Sequence, residues 1–371
     1  MSVRIEGVEL RRVELPLAAP FRTSFGIEHS RNALLVRVVT PDAEGWGECV
    51  TIDEPIYSEE YTDGAIDVLR RFLVPPVCDA DEITASAVSR RLAHIKGHRM
   101  AKGALEAAVL DAETRIAGIS LAERLGGTLP RVRVGVSVGI GDSIPELLDE
   151  VAAHLESGYG RIKLKIEPGW DIEPVRAVRE RFGDQLLLQV DANTAYGPTD
   201  LRHLTRLDDF DLLLIEQPFD EEDLATHVRL QQMSSTPICL DESITSARAA
   251  ADAIRLGACE IVNIKPGRVG GYLEAARIHD VCVAHGIPVW CGGMLETGIG
   301  RAANLALASM PGFTLPGDIS STSRYFHRDI TPEFTAVDGV MTVPTGPGIG
   351  VSPLDDALAE LTTWSEWLVG P

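Results

Sequence analysis

Five charged residues occur at nearly constant spacing through the middle of the chain. Each closes a short run rich in Leu, Ile and Val and precedes a turn-forming stretch; they are Lys165, Asp191, Glu216, Asp241 and Lys265. The separations are 26 (191 − 165), 25 (216 − 191), 25 (241 − 216) and 24 (265 − 241) residues, about one strand–loop–helix–loop repeat per step. Because the carboxyl ends of parallel strands in a barrel meet at one mouth, this spacing predicts a single site.

The order of the charges indicates the chemistry of that site. Asp191, Glu216 and Asp241 supply hard oxygen ligands, which suit Mg²⁺, with Mn²⁺ or another divalent ion as a substitute. Lys165 and Lys265 flank these carboxylates and are candidates for acid/base catalysis. A salt bridge between strand ends is the alternative for any single pair, but five charges in phase favour a metal-assisted acid/base site.

Other polar residues lie close to these five in the sequence. Lys163 shares a strand face with Lys165, since side chains alternate along a strand. Repulsion between the two favours proton release from Lys165 while the three carboxylates oppose it, so the release is expected only with Mg²⁺ bound. Asn193 and Glu242 follow predicted metal ligands and are expected to orient them. Arg268 is either a second cation of the site or a solvated residue of the next loop.

Composition excludes several classes of partner. A formal charge of −21 over 371 residues disfavours nucleic acid and anionic membranes, and no apolar run reaches membrane-spanning length. Residues 1–17 alternate and carry charges, unlike a signal peptide. The six cysteines are scattered and indicate thiols of a cytoplasmic protein. We expect a small-molecule carboxylate as the partner, bound where metal and lysines supply positive charge.

Residues 1–125 are predicted to form an α+β domain. Residues 3–15 and 33–50 alternate apolar and polar side chains like half-buried antiparallel strands. Three amphipathic helices are predicted after them, at residues 58–76, 84–96 and 99–117. The loop between the strands carries Phe21, Arg22 and Phe25, which either plug the core or form a lid over a substrate.

Residues 126–320 are predicted to form a parallel barrel with eight strands. Its first strand includes Ser137, whose small side chain leaves room for a ligand. The seventh strand leads into Gly293 and Met294, which with Ser137 are candidates for binding a substrate side chain. The eighth strand ends near Asp318. Residues 321–371 are predicted to fold back onto the first domain.

Several motifs resemble one known group of enzymes. They are FRTSFG at 21–26, GHRMAKGALE at 97–106, KLK at 163–165, DAN at 191–193, IEQP at 215–218, LDES at 240–243, NIKPGRVGG at 263–271 and CGGMLETGIGRA at 291–302. The chain resembles the enolase superfamily, in the muconate lactonizing subgroup, and within it the o-succinylbenzoate synthases that also racemise N-acylamino acids.

The resemblance implies an α/β fold, a modified TIM-type (β/α)7β barrel with an N-terminal α+β capping domain. It also implies one Mg²⁺ on the three carboxylates, a lysine on each face of the substrate, and assembly into a homo-octamer. The chain lacks the His–Asp pair that mandelate racemase has in place of Lys265. It also lacks the Asp-x-Asp of dipeptide epimerases at strand eight, where Asp318 stands alone, either as a hydrogen-bonding partner of a loop or as a catalytic group.

The implied reaction is removal of an α-proton from a carboxylate substrate through an enediolate. Dehydration to o-succinylbenzoate, a step of menaquinone biosynthesis, and racemisation of N-acylamino acids would use the same residues. A dedicated racemase and a muconate-type cycloisomerase are alternatives. A barrel that binds metal or carboxylate without turnover is the non-enzymatic alternative, and the two flanking lysines argue against it.

Overall fold

Two main β-sheets, one antiparallel and one parallel, organise the chain. The computed structural model describes residues 2–370. Numbered along the chain, the strands are β1 Gly7–Thr23, β2 Gly26–Val39, β3 Glu44–Cys49, β4 Arg131–Arg133, β5 Val136–Val138, β6 Arg161–Lys165, β7 Leu187–Asp191, β8 Ile215–Glu216, β9 Ile238–Leu240, β10 Ile261–Ile264, β11 Val289–Cys291, β12 Val340–Thr342 and β13 Thr362–Val369.

Helices pack against the first sheet and connect the strands of the second. They are α1 Thr62–Val68, α2 Val74–Cys78, α3 Ala85–Arg91, α4 Arg99–Ala117, α5 Leu121–Leu125, α6 Ile144–Glu156, α7 Ile172–Phe182, α8 Leu201–Leu204, α9 Leu224–Met233, α10 Ala247–Leu256, α11 Pro266–Val269, α12 Tyr272–Ala284, α13 Gly298–Ala308 and α14 Asp355–Leu361. A π-helical segment, Leu69–Leu73, joins α1 to α2, and 3₁₀ turns lie at Pro198–Asp200, Thr205–Phe210 and Thr322–Arg324. None of the helices within residues 2–370 has the length and apolar character needed to cross a membrane.

The antiparallel sheet has the strand order β13-β1-β2-β3. On β1, Val8, Leu10, Val13 and Leu15 are fully buried, because the alternation of the sequence presents one face of the strand to the core. β13 comes from the far end of the chain and pairs antiparallel with β1. The two ends of the described chain therefore meet in one sheet, while the boundaries at residues 125 and 320 stay predictions.

Two of the three helices predicted in the first domain are shorter than expected. The first begins only at Thr62, because the preceding segment is extended and Tyr61 bridges to Ile52. The second ends at Arg91, where the chain tightens into turns whose hydrogen bonds span three residues instead of four. The third, α4, spans Arg99–Ala117 as predicted.

Helix α4 packs directly on β3 through two glycines. A Cβ atom at Gly45 would lie 2.0 Å from the carbonyl oxygen of Ala108, and one at Gly47 would lie 2.0 Å from that of Ala104. Any side chain at these positions would therefore push the helix off the sheet. This close approach places α4 between the antiparallel sheet and the barrel.

The parallel sheet has seven strands in the order β11-β10-β9-β8-β7-β6-β5. The predicted eighth strand is wrong as a regular strand: around it the chain makes only single bridges, from Phe313 to β11 and from Gly317 to Val134. Pro316 has no N–H to donate, so a continuous ladder cannot form there. The extended segment still bonds both sides, since Gly135 N donates to Gly317 O (2.8 Å) and Asp318 N to Cys291 O (2.9 Å).

Two buried carboxylates of the first domain bind the N-termini of barrel helices. Glu106 of α4 accepts hydrogen bonds from Tyr272 N (3.0 Å) and Leu273 N (2.9 Å) at the start of α12. Glu48 of β3 accepts from Thr297 Oγ1 (2.7 Å) at the start of α13. The free N–H groups at the start of a helix need acceptors, which these carboxyl oxygens supply. The contacts therefore fix the first domain on the barrel.

The carboxyl group of Glu106 makes the stability of the fold depend on pH. Burial raises the pKa of Glu106 from 4.5 to about 7. The folded protein thus holds this proton where the unfolded chain has lost it, so the stability contribution is full below about pH 4.5 and is lost as the pH rises through 7. The side chain of glutamine stays neutral at every pH. We therefore expect the free energy of unfolding of Glu106→Gln to fall by roughly 3 kcal/mol less than that of wild type over this pH range.

Urea unfolding followed by circular dichroism between pH 4.5 and 8.5 measures this effect. Glu123→Gln, an exposed change on neighbouring α5, is the control and should leave the pH profile of wild type unchanged. A Glu106→Gln profile parallel to that of wild type would show that Glu106 titrates normally in the fold.

Candidate active site

The five regularly spaced residues meet at the carboxyl ends of five neighbouring strands. Lys165, Asp191 and Glu216 are the last residues of β6, β7 and β8, and register pairs join Lys165 to Asp191 and Asp191 to Glu216. Asp241 and Lys265 directly follow β9 and β10. The three carboxylates are 0% exposed. The structure thus brings the predicted ladder into one buried cluster.

Ion pairs connect the lysines to the carboxylates. Lys165 Nζ lies 2.6 Å from Asp191 Oδ2, and Lys265 Nζ lies 2.8 Å from Asp241 Oδ2. Burial opposes ionisation of both aspartates, but the facing cations outweigh it and lower the pKa of Asp191 and of Asp241. Burial and the charge of Asp191 instead raise the pKa of Glu216. The middle carboxylate is therefore the one that lacks sufficient positive charge.

Lys163 contacts three carboxylates and is not an isolated cation beside Lys165. Its Nζ lies 3.0 Å from Asp191 Oδ2, 3.0 Å from Glu216 Oε2 and 2.6 Å from Asp318 Oδ2. Burial lowers the pKa of Lys163, but these carboxylates reverse the effect and raise it well above its usual range. These carboxylates thus compensate the charge of Lys163, and the expected effect of Lys163 on the pKa of Lys165 with Mg²⁺ bound stays a prediction.

Asp318, whose role the sequence left open, joins Lys163 to an arginine that sequence reasoning missed. Arg161 is fully buried on β6, pairs with Asp318 Oδ1 at 2.7 Å and stacks over Trp290. Both cations lower the pKa of Asp318 although burial raises it. Arg161 and Lys163 alternate along RIKLK, so the period of two that identified the lysines could also have identified this arginine.

A second set of side chains orients the cluster. Asn193 Oδ1 accepts from Lys165 (2.6 Å), and Asn193 Nδ2 donates to Glu242 Oε1 (2.9 Å). Arg268 Nη2 donates to Asp241 Oδ1 (2.6 Å). Arg268 is only 5% exposed, so its interpretation as a solvated loop residue is wrong. Each of the three residues predicted to support the ligands contacts a member of the cluster or a neighbour that does.

Asn263 is a further residue that sequence reasoning missed. It lies on β10 two residues before Lys265, and its Nδ2 donates to Glu216 Oε1 at 2.7 Å. With the Lys163 contact, both oxygens of Glu216 are engaged. The alternation of NIK, which places Asn263 and Lys265 on one strand face, was the available signal.

A cavity opens above the cluster. Five of the six residues predicted to bind substrate line it together with the three lysines; the five are Phe21, Phe25, Ser137, Gly293 and Met294. Ser137 Oγ is buried and has no hydrogen-bond partner within residues 2–370. It is therefore free to bond a ligand.

Arg22, the sixth predicted substrate residue, does not line this cavity. Phe21 and Thr23 line it, and the alternation of β1 turns the side chain between them outward. Arg22 instead pairs with Glu167 (3.1 Å) and Asp142 (3.6 Å) on two barrel loops. These contacts hold the hairpin on the barrel, and a substrate contact for Arg22 stays a prediction.

The hairpin tip combines both interpretations proposed for its aromatic residues. Phe21 packs edge-on against Tyr325, and Phe25 packs on Tyr57 with ring centroids 5.4 Å apart, while both phenylalanines line the cavity. Ser24 Oγ donates to Ala192 O (3.0 Å), next to a predicted metal ligand. The hairpin tip thus packs against neighbouring aromatic rings, as core residues do, and it also lines the cavity, as a lid would.

Tyr57 was also missed, because no charge or motif marks it in the loop TIDEPIYSEEY. Its hydroxyl oxygen accepts a hydrogen bond from Lys265 Nζ at 3.1 Å. Burial raises the pKa of Tyr57, which therefore stays neutral near pH 7. Tyr57 and Asp241 together fix the position of the Lys265 ammonium.

The donor chemistry of the cluster fits a divalent cation. Within residues 2–370 no three His, Cys, Asp or Glu side chains are arranged as a ready-made metal site, and Lys163 lies between Asp191 and Glu216. Asp191, Glu216 and Asp241 nevertheless offer only oxygen donors, fully buried on successive strand ends. Burial and the charge of Asp191 raise the pKa of Glu216, so added positive charge beside this carboxylate would favour its ionised form. Such an oxygen set suits Mg²⁺.

Two family models cover most of the chain. The mandelate racemase / muconate lactonizing enzyme N-terminal domain matches residues 5–126, and the enolase C-terminal domain-like model matches residues 146–357. The chain belongs to the enolase superfamily. This confirms the family predicted from the motifs and the α/β architecture of barrel and capping domain.

Named relatives of this superfamily member cover its full length. An N-succinylamino acid racemase of Amycolatopsis sp is 64% identical, covering 99% of this chain and 100% of its own. An o-succinylbenzoate synthase of Geobacillus kaustophilus is 47% identical and covers 94% of each chain. A solved enolase-superfamily structure from Listeria innocua has a TM-score of 0.95 at 39% identity and covers 99% of both chains.

The ion pair between Arg22 and Glu167 should hold the hairpin tip on the barrel. We expect Arg22→Ala and Glu167→Gln each to speed amide exchange in residues 18–30 by roughly two- to fivefold, the range for a partly exposed pair. Because Arg22→Ala already removes the Glu167 contact together with the longer pair to Asp142, the double variant should exchange no faster than Arg22→Ala alone. Hydrogen–deuterium exchange mass spectrometry measures this.

Arg176→Ala, which breaks a surface pair with Glu173 on α7, is the matched control and should leave hairpin exchange unaltered. Additive effects of the two hairpin changes would contradict a shared contact.

Proposed function

We propose that this protein removes the α-proton of a carboxylate substrate, and that it both forms o-succinylbenzoate by dehydration and racemises N-succinylamino acids. The observation that carries this proposal is the placement of Lys165 and Lys265. Both line one cavity, from β6 and from the end of β10, which lie four positions apart in the parallel sheet. The names of the relatives at 64% and 47% identity support the two reactions.

Asp191, Glu216 and Asp241 would hold one divalent cation, Mg²⁺ in our proposal, with Mn²⁺ as a substitute. Such a cation, when bound, stabilises the negative charge that develops on the substrate carboxylate as the enediolate forms. The remaining chemistry belongs to this chain's own side chains.

Lys165 and Lys265 hold and move the proton at the α-carbon. A lysine on one side of the cavity can take the α-proton from one enantiomer of the substrate. The lysine on the opposite side can then return a proton to the other face of the α-carbon, which gives the other enantiomer. Asn193 holds Lys165 Nζ at 2.6 Å, and Tyr57 holds Lys265 Nζ at 3.1 Å. Racemisation therefore needs both lysines.

Dehydration needs only one base, which can pass the proton to the leaving hydroxyl on the same face. We assign this work to Lys165. Burial lowers the pKa of Lys265, but Asp241 and Tyr57 outweigh it and raise the pKa well above its usual range. During dehydration Lys265 can thus act in its ammonium form and stabilise the enediolate as a cation, whereas in racemisation it exchanges its proton with the α-carbon.

A dedicated N-succinylamino acid racemase is the second candidate, because the relative at 64% identity bears that name alone. A muconate-type cycloisomerase has weaker support, since a muconate lactonizing enzyme of similar fold (TM-score 0.91) is only 28% identical. Parallel assays of dehydration, racemisation and lactonisation on one purified sample discriminate the three. A homo-octamer in the cytoplasm remains part of the proposal.

Removal of divalent metal should abolish turnover. We expect activity to vanish in excess EDTA and to return with Mg²⁺ or Mn²⁺, because the charge on the enediolate then regains its counter-charge. Glu216→Gln should weaken metal affinity by at least about tenfold and keep the fold. Isothermal titration with Mn²⁺ measures the affinity.

Glu260→Gln, an exposed change at the opposite end of the barrel, is the control and should bind Mn²⁺ like wild type. Full activity of the wild type in excess chelator would contradict the metal-assisted mechanism.

Each lysine should serve one enantiomer. In deuterated water, wild type should exchange the α-proton of both enantiomers of an N-succinylamino acid. Lys165→Ala should exchange one enantiomer only, Lys265→Ala the other, and racemisation should vanish in both, because each lysine reaches one face. Proton NMR of the α-position with chiral chromatography measures this.

Lys265→Arg tests the assignment of dehydration, since it keeps a cation but loses a usable base. It should retain more dehydratase than racemase activity. Exchange of both enantiomers by both alanine variants would rule out the two-face arrangement.

A further inference from the structure

Gln217 directly follows Glu216, the middle carboxylate of the cluster, and does not line the cavity. It is 0% exposed and adopts φ of 35°, in the left-handed region that favours glycine. A bulky residue held in this conformation is kept there by its surroundings. In the sequence, Gln217 belongs to the motif IEQP, which indicated the family but no role for this residue.

The side chain of Gln217 uses both ends of its amide. Oε1 accepts from the backbone N–H groups of Asp241 (3.0 Å) and Ser243 (3.2 Å), and Nε2 donates to Ser243 Oγ (2.8 Å) and Phe219 O (3.1 Å). Two N–H donors face one end and a carbonyl faces the other, so only one orientation of the amide satisfies these partners. The side chain thereby ties the end of β8 to the segment after β9.

The backbone of Gln217 ties the same point to its other neighbours. Gln217 N donates to Cys239 O (2.9 Å) on β9, and Gln217 O accepts from Thr194 N (2.9 Å) after β7. Thr194 itself has φ of 65°. One residue thus contacts the three segments that carry Asp191, Glu216 and Asp241.

We propose that Gln217 is the positioning residue that sets the spacing of these three carboxylates for the divalent cation. It touches neither the cavity nor a carboxylate oxygen, so it acts through the backbone of the segments that it joins. The inference rests on the proposed function, because it assumes that the three carboxylates are the metal ligands.

Glutamine is suited to this place by length and by its two-ended polarity. Methionine has a similar length but offers neither strong donor nor strong acceptor, so Asp241 N and Ser243 N would lose their acceptor. Glutamate keeps an acceptor for those two N–H groups but loses the donor to Phe219 O. The pair of variants therefore separates loss of the whole bridge from loss of one end.

Binding of Mn²⁺ to the purified full-length protein, followed by electron paramagnetic resonance, tests the proposal without any turnover. We expect Gln217→Met to weaken Mn²⁺ binding by about 10- to 100-fold, the usual effect of losing residues that orient metal ligands. Gln217→Glu should weaken it less. Circular dichroism confirms that each variant is folded, and Gln217→Glu carries the test if Gln217→Met does not fold.

Gln231→Met is the matched control. Gln231 of α9 also accepts from a backbone N–H of the β9 region, Ile238 N (2.9 Å), but at the end of the strand away from the carboxylates. Gln231→Met should bind Mn²⁺ within about twofold of wild type. If Gln217 acted only by holding strand β9 in place, Gln217→Met and Gln231→Met would weaken Mn²⁺ binding equally. Equal weakening would overturn the proposal, as would wild-type affinity in the folded Gln217 variants.

The failure of the metal assignment itself looks different. If wild type does not bind Mn²⁺, or if Glu216→Gln binds it as tightly as wild type, the three carboxylates are not the ligands and the inference falls with them. If wild type binds Mn²⁺ and Glu216→Gln is weak, the Gln217 variants alone decide.

Discussion

The structure depends on how three buried carboxylates are compensated at the ends of adjacent strands. Asp191, Glu216 and Asp241 have no access to water, and an unpaired charge in such a place would be too costly to keep. Lysines from β6 and β10 therefore enter from both sides, and Lys163 enters from below. The same cations that make the carboxylates tolerable in the core are the groups that can move protons above them.

This compensation explains why so much of the surrounding polar structure is buried. Lys163 pairs with Asp318, which in turn pairs with the buried Arg161. Asn193 accepts a hydrogen bond from Lys165, and Arg268 pairs with Asp241. A protein of net charge −21 thus carries a local concentration of cations where a carboxylate substrate would bind. The acidic balance of the whole chain does not extend to this site, because the alternation along β6 directs Lys163 and Lys165 inward.

The capping domain completes the site from above and is held on the barrel by its own polar side chains. Glu48 and Glu106 bind the first N–H groups of two barrel helices, and the hairpin tip docks through Arg22 and Ser24. The barrel alone would leave the lysines open to water. Excluding water strengthens every electrostatic interaction in the cavity, which is what removal of a weakly acidic proton requires.

The sequence by itself determined the ladder of charges, the parallel order of the strands and the family, because period, spacing and motif are local properties of the chain. Tertiary structure alone decided which partners each charge meets. Lys163 had a predicted neighbour in Lys165, yet its shortest ion pair is with Asp318, more than 150 residues away. Arg22 turned outward with the register of β1, Tyr57 arrived from an unmarked loop, and Gln217 gained its role only where three segments converge. Such contacts depend on distances across the barrel, which spacing along the chain does not encode.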